Sequence, residues 1–251
     1  RQLVLENSTN SVYVAGYNSG LESWGSGSFT SNPPSTWAGF VVKYNETGKF
    51  KWGRSTAGAQ CVFSNCGAVF DNIVIHPEGG VVVGGMFAQT YKEQSGNINS
   101  GYGNWDVLLK RYSSNGTELW SYHAGSTGED RLESLSVNQK GQVQFGGTHA
   151  ENMSFGSNIL TMNSTSGYYD GFIAQIDNNS NYQWSLSMGG YGNDTVGALL
   201  STSDGSIVAG GNFNGTVWFG GTPSSSSESD VFVWKFQHDK DGDGVPDYID
   251  N

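Results

Sequence analysis

Charge is scarce in this chain, and so are cysteine and long apolar runs. Charged residues make up 14% of the 251 positions, against about 25% in an ordinary soluble domain. Runs of Ala, Glu, Lys and Leu at 3.6-residue spacing are missing, which excludes a helical bundle and leaves very low helical content. No apolar stretch approaches the roughly 20 residues that a membrane-spanning helix needs. Lys and Arg number 12 against 23 Asp and Glu, and the net charge of −11 opposes nucleic acid and anionic membranes, which carry the same sign. The chain opens on Arg1 with no initiator Met or signal sequence, which reads as a processed chain or a piece of a longer one.

The only cysteines, Cys61 and Cys66, sit together in CVFSNC. A local disulfide is expected, because a redox pair or metal site would want a CxxC spacing or nearby histidines. Such a bridge implies an oxidising compartment, so the chain is expected to be secreted or at a cell surface. Eight N-x-S/T sequons, beginning at Asn7, Asn45, Asn115, Asn152, Asn163, Asn178, Asn193 and Asn214, are candidate glycosylation sites that agree with that location.

Glycine is what the chain has in abundance, 37 residues or about twice the usual share, as many short strands and tight turns require. The glycines mark an internal repeat. Strands ending in Gly read SVYVAGY, VVVGGMF, QVQFGGT and SIVAGGN, placing Gly16, Gly85, Gly147 and Gly211 in register. Each is followed by a second strand, WAGFVVKY, WDVLLKRY, YDGFIAQI or SDVFVWKF, and then by a polar turn and a strand carrying Trp52, Trp120 or Trp184. A further strand precedes each Gly strand, seen in DNIVIHP, RLESLSVN and GALLSTS, with Leu3, Val4 and Leu5 supplying the first copy.

The chain is therefore expected to be all-β, a propeller-like array of about four four-stranded blades over residues 1–237, with boundaries near 1–58, 59–126, 127–190 and 191–237. The last blade lacks its outer, tryptophan-bearing strand. Crowding near a propeller axis would account for the repeated glycines.

The stretches GNFNGTVWFGGTPSSSSESDVFVWKF and FGSNILTMNSTSGYYDGFIAQID resemble the bacterial and archaeal extracellular β-propeller repeats of the SBBP type, with GSTGED and GGYGND in the loop that follows the tryptophan strand. The strand order is also similar to kelch repeats, which implies that the first strand is innermost and the tryptophan strand outermost. The first unit departs from the pattern, with Ala38 in place of the aspartate of WDV and with the CVFSNC insertion.

Residues 238–251 form a separate tail reading DKDGDGVPDYID from Asp239. Asp239, Asp241 and Asp243 alternate, so their carboxylates can converge on one calcium ion. Gly244 permits the sharp turn, Val245 offers a backbone carbonyl, and Asp247 and Asp250 fall at the ninth and twelfth ligand positions. The loop resembles thrombospondin type 3 and dockerin-like calcium repeats. Ca2+ is the only cofactor expected.

No catalytic constellation emerges. Asp106, Asp170 and Asp230, and again Asp71, Asp130 and Asp194, recur once per unit, as turn or cap carboxylates would. His76, His123, His149 and His238 show no metal-hydrolase spacing, and no nucleophile, phosphate or dinucleotide motif is present. Trp24, Tyr91 and Trp218 lie in loops where a ring either stacks on a sugar or packs between units. The strand Val231, Phe232, Val233, Trp234, Lys235 and Phe236 lacks a neighbour on its outer side and is a candidate assembly edge. The expected function is a non-catalytic, extracellular structural or adhesive protein, calcium-stabilised and glycosylated, self-assembling or joining a neighbouring surface protein, with a glycan-binding propeller as alternative and a secreted hydrolase behind it.

Overall fold

The structure, a computed structural model, describes residues 1–19, 21–24, 27–30, 37–57, 67–92, 95–163, 167–219 and 222–235. Every regular element among them is a β-strand, and none is a helix that could cross a membrane. The chain divides into two compact units, Arg1–Ala124 and Gly125–Asn251.

In the first unit, β1 (Gln2–Glu6), β2 (Ser11–Asn18), β5 (Ala38–Tyr44) and β6 (Phe50–Ala57) form an antiparallel sheet in chain order, with a hairpin of β3 (Leu21–Trp24) and β4 (Gly27–Thr30) between its second and third strands. The second sheet repeats the plan with β7 (Gly67–Ile75), β8 (Val81–Ala88), β11 (Asp106–Tyr112) and β12 (Glu118–Ala124) around the hairpin of β9 (Thr90–Lys92) and β10 (Ile98–Ser100). Tyr13, Val41 and Trp52 of the first sheet share a core with Phe70, Val83 and Leu108 of the second.

The second unit opens with β13 (Arg131–Val137), β14 (Val143–His149), β17 (Asp170–Ile176) and β18 (Tyr182–Met188), with the hairpin of β15 (Met153–Phe155) and β16 (Asn158–Leu160) inserted at the same point. Its other sheet has three strands among the described residues, β19 (Thr195–Ser201), β20 (Ile207–Phe219) and β21 (Thr222–Lys235). Ile173, Trp184 and Met188 pack with Val196, Ile207 and Phe213 between these two sheets.

Local chemistry sets the turns. Six hairpin turns among the described residues close with the same backbone bond, from Gly48, Gly79, Gly116, Gly141, Ser180 and Gly205 to the carbonyl three residues earlier, at 2.9 to 3.1 Å. The donor residue has positive φ in every case, 65° at Ser180 and 75–87° at the glycines. Asn45, Asn138 and Asp177 open three of them and accept backbone N–H bonds with their side-chain oxygens.

The repeated glycines have a cause other than crowding at an axis. β7, β13 and β19 each carry a β-bulge at the same register, opposite the Gly-Gly pair of the next strand or its equivalent. The carbonyl oxygen just before the bulge, of Val69, Arg131 or Thr195, lies where a Cβ on Gly85, Gly147 or Gly211 would sit. β1 pairs with β2 without a bulge, and Gly16 instead makes room for the ring of Phe40.

Candidate functional site

The four third strands of the sheets, β5, β11, β17 and β21, occupy equivalent places and differ in one respect. β11 and β17 are buried along their whole length, and β5 along all but its last residue. β21 pairs with β20 on one side and has no second partner among the described residues. From Val231 to Lys235 its side chains alternate strictly. Phe232 and Trp234 turn to the core, while Val231 and Val233 are 73% and 82% exposed. Among the described residues this segment combines an edge position in its sheet with bare apolar side chains at Val231 and Val233, the features by which strands recruit other strands. Phe236 lies outside the described residues.

The repeated aspartates bind the backbone. Asp130 accepts hydrogen bonds from the N–H of Ser126, from its hydroxyl at 3.0 Å, and from the N–H of Ala150 at 3.2 Å. Asp194 accepts the N–H groups of Gly190 at 3.1 Å and Asn214 at 3.0 Å. Each carboxylate thus ties its own loop to a residue 20 positions further on. Burial pushes both carboxyls up to about 6, against the pull of these bonds.

Asp106 and Asp170 are likewise buried, holding the N–H groups of Tyr102 and Gly103 and of Asn163, whereas Asp230 is exposed and bonds the N–H of Val231. Asp71 does not belong with Asp130 and Asp194 as the sequence pattern suggested. Register places Ala68 at their position, and Asp71 falls in the bulge of β7, 3.5 Å from the α-amino group of Arg1.

The described histidines are dispersed. His76 contacts Arg111 at 2.9 Å, and His123 lies 3.2 Å from the Tyr91 hydroxyl. His149 is buried between the Glu151 carbonyl and the Ser187 hydroxyl, and burial lowers its pKa. No group of three or more potential metal ligands occurs among the described residues. The loop of Asp239, Asp241, Asp243, Val245, Asp247 and Asp250, together with His238, lies outside them, as do Cys61 and Cys66.

Tyr91 is not a stacking residue. It is 1% exposed, with its ring edge-on to Phe87 at 4.7 Å and the Lys110 ammonium 5.1 Å from its centroid, so neither face is offered to a ligand. Trp24 and Trp218 lie in β3 and β20, and their side chains are outside the description. Asn7, Asn115, Asn152, Asn163, Asn193 and Asn214 are exposed, and Asn45 and Asn178 are half-buried.

Sequence reasoning missed two features. One is an aromatic pair, Tyr17 stacked on the part-exposed Trp37 at 4.9 Å with the Arg1 guanidinium 5.6 Å from Tyr17; Tyr17 and Arg1, but not Trp37, line a cavity of about 360 Å³ with Val14, Asn18 and Phe40. WAGFVVKY had marked Trp37 only as a strand start. The other is a set of buried ion pairs, Lys43 with Glu6 at 3.1 Å and Lys110 with Glu118 at 3.0 Å, for which a sequence without runs of charge offers no signal. Compared with known proteins, the chain matches no family model and no curated sequence.

Proposed function

We propose that the chain is a non-catalytic extracellular structural or adhesive subunit, with its four sheets arranged as propeller blades. Calcium in the 239–250 loop stabilises it, glycans occupy exposed sequons, and it assembles with itself or with a neighbouring surface protein through the edge of β21. The observation that carries this reading is that edge: a strand with a free side among the described residues and two valines more than 70% exposed. Proteins that stay monomeric protect such strands with charge, proline or a covering segment. Within Val231–Lys235 only Lys235 is charged, and it is paired to Asp204 at 3.1 Å. The aspartates support the non-catalytic part, since those that are buried accept backbone N–H bonds at recurring places rather than converging on one centre. Light scattering over a concentration series with calcium present tests the reading. Concentration-dependent association is expected, and a monomer at the highest concentration refutes it.

A glycan-binding role is the second reading, favoured by Trp37, which is 39% exposed and stacks on Tyr17 with one face. An exposed indole face suits a sugar ring. Binding on a glycan array that is lost in Trp37→Ala and kept in Val233→Asp would establish it.

A further inference from the structure

Two aspartates of the second unit brace the wall of a cavity. Asp170 holds the N–H of Asn163, and Asp194 holds the N–H groups of Gly190 and Asn214. Both carboxyls are buried. A Cβ on Gly189 would strike the Asp170 carboxylate and one on Gly190 the Thr216 carbonyl, so neither position admits a side chain. With Asn163, Tyr191 and Thr216 these glycines line a cavity of about 670 Å³, within the range of sites that hold small organic molecules.

The equivalent loop at 125–130 is built differently. Ser126 stands where Gly190 does, and its hydroxyl bonds the Asp130 carboxylate at 3.0 Å. Thr127 stands where Tyr191 does. The later loop thus combines a floor without side chains and an adjoining aromatic ring, and Tyr191 is 76% exposed. The lining chemistry suits a neutral polyol. Asn163 and Thr216 carry amide and hydroxyl groups, and the Tyr191 ring can stack on the C–H face of a sugar. None of the five lining residues is cationic, and the two carboxyls behind them oppose an anion.

One lining residue can itself carry such a ligand. Asn163 opens the sequon Asn163-Ser164-Thr165. Its backbone N–H is fixed by Asp170, and its Nδ2 lies 3.5 Å from the Ser187 hydroxyl, which lies 3.4 Å from Nε2 of the buried His149. Nδ2 bears two hydrogens, so one N–H can donate to Ser187 while the other is replaced by a sugar. In that replacement Nδ2 bonds the anomeric carbon of a diphosphate-activated sugar donor, the amide proton is lost and the diphosphate leaves. A sugar so attached starts at the cavity wall. Asn115, by contrast, lies in an exposed hairpin turn, where its Oδ1 accepts the Thr117 hydroxyl at 3.0 Å.

We infer that a neutral N-linked sugar carried by Asn163 folds back into this cavity and stacks on Tyr191, so that the glycan is a packed part of the second unit. This rests on the glycosylated part of the reading above and is independent of assembly. It separates Asn163 from sequons in exposed turns, whose glycans extend into solvent.

The test uses the full chain secreted from a host that glycosylates N-x-S/T sequons, with occupancy at each site read by peptide mass spectrometry. Peptide N-glycosidase acting on the native protein is expected to release the Asn163 glycan about 10-fold more slowly than glycans on the other exposed sequons, Asn115 among them. After denaturation all are expected to be released at one rate. Tyr191→Ala is expected to remove the difference and Tyr191→Phe, which keeps the ring, to preserve it, with circular dichroism showing that both are folded. Equal native rates in the wild type overturn the inference, and so does protection that survives Tyr191→Ala. Occupied sequons elsewhere with an empty Asn163 also overturn it and leave glycosylation itself standing. A chain with no occupied sequon overturns both this inference and the glycosylated part of the reading, and leaves the assembly part to light scattering.

Discussion

Titrating the protein between pH 4 and pH 7 sets burial against hydrogen bonding at Asp130 and Asp194. Both carboxyls are buried, and both accept only N–H and O–H donors, which favour the ionised form. Burial prevails and raises each from 3.8 to about 6. The native state then holds protons that the unfolded chain has released, so stability is greatest near pH 4 and falls as pH rises through 6. A change of that size is worth about 3 kcal/mol per group, or about 6 kcal/mol for the pair, with a slope of about 2 kcal/mol per pH unit near pH 5. Urea unfolding followed by tryptophan fluorescence at several pH values measures the slope. The Asp130→Asn, Asp194→Asn double variant, which lacks these two carboxyls, provides the baseline and is expected to lose the fall, leaving the opposite, rising contribution of buried His149, whose pKa is lowered. Stability that rises from pH 4 to pH 7, or an equal slope in the double variant, would show that the hydrogen bonds win and that the reasoning is wrong.

Ser180 holds a φ of 65° where the equivalent turns have glycine, so Ser180→Gly is expected to stabilise the second unit by about 0.5–1 kcal/mol in the same urea assay. Gly147→Ala drives a methyl into the Arg131 carbonyl beside the bulge of β13, and a loss of about 3 kcal/mol is expected by thermal or urea unfolding. Isothermal titration is expected to show calcium uptake by the chain with a Kd of about 10⁻⁴–10⁻³ M, as in extracellular modules. Asp241→Ala should abolish that uptake, and unchanged binding would dismiss the loop as the site.

Much of the architecture is local and so was legible in the sequence. A hairpin turn closes within four residues, as from Asn45 to Gly48 or Asn138 to Gly141, and needs only a residue that tolerates positive φ and a side-chain oxygen nearby. Short runs rich in β-branched and aromatic residues, such as VVVGGMF and SDVFVWKF, likewise mark strands before any partner is known, which is why the all-β class, the repeat and, among the described residues, the three-stranded last sheet could be read from residues alone. The meaning of the glycines could not. A Gly-Gly pair looks the same whether an axis or a bulge crowds it, and the bulges of β7, β13 and β19 exist only once strands pair in register.

Burial was decided by tertiary structure for the same reason. Tyr91 sits in a segment that reads as loop and is buried because Phe87, Lys110 and His123 come to lie against it from three strands. Val41 and Val233 hold equivalent positions in similar strands, one wholly buried and the other bare. By itself the sequence determined that each strand has two faces and where each chain reversal falls, since both depend on neighbours a few residues away. What lies across each face depends on residues far along the chain, and only the packed sheets decide it.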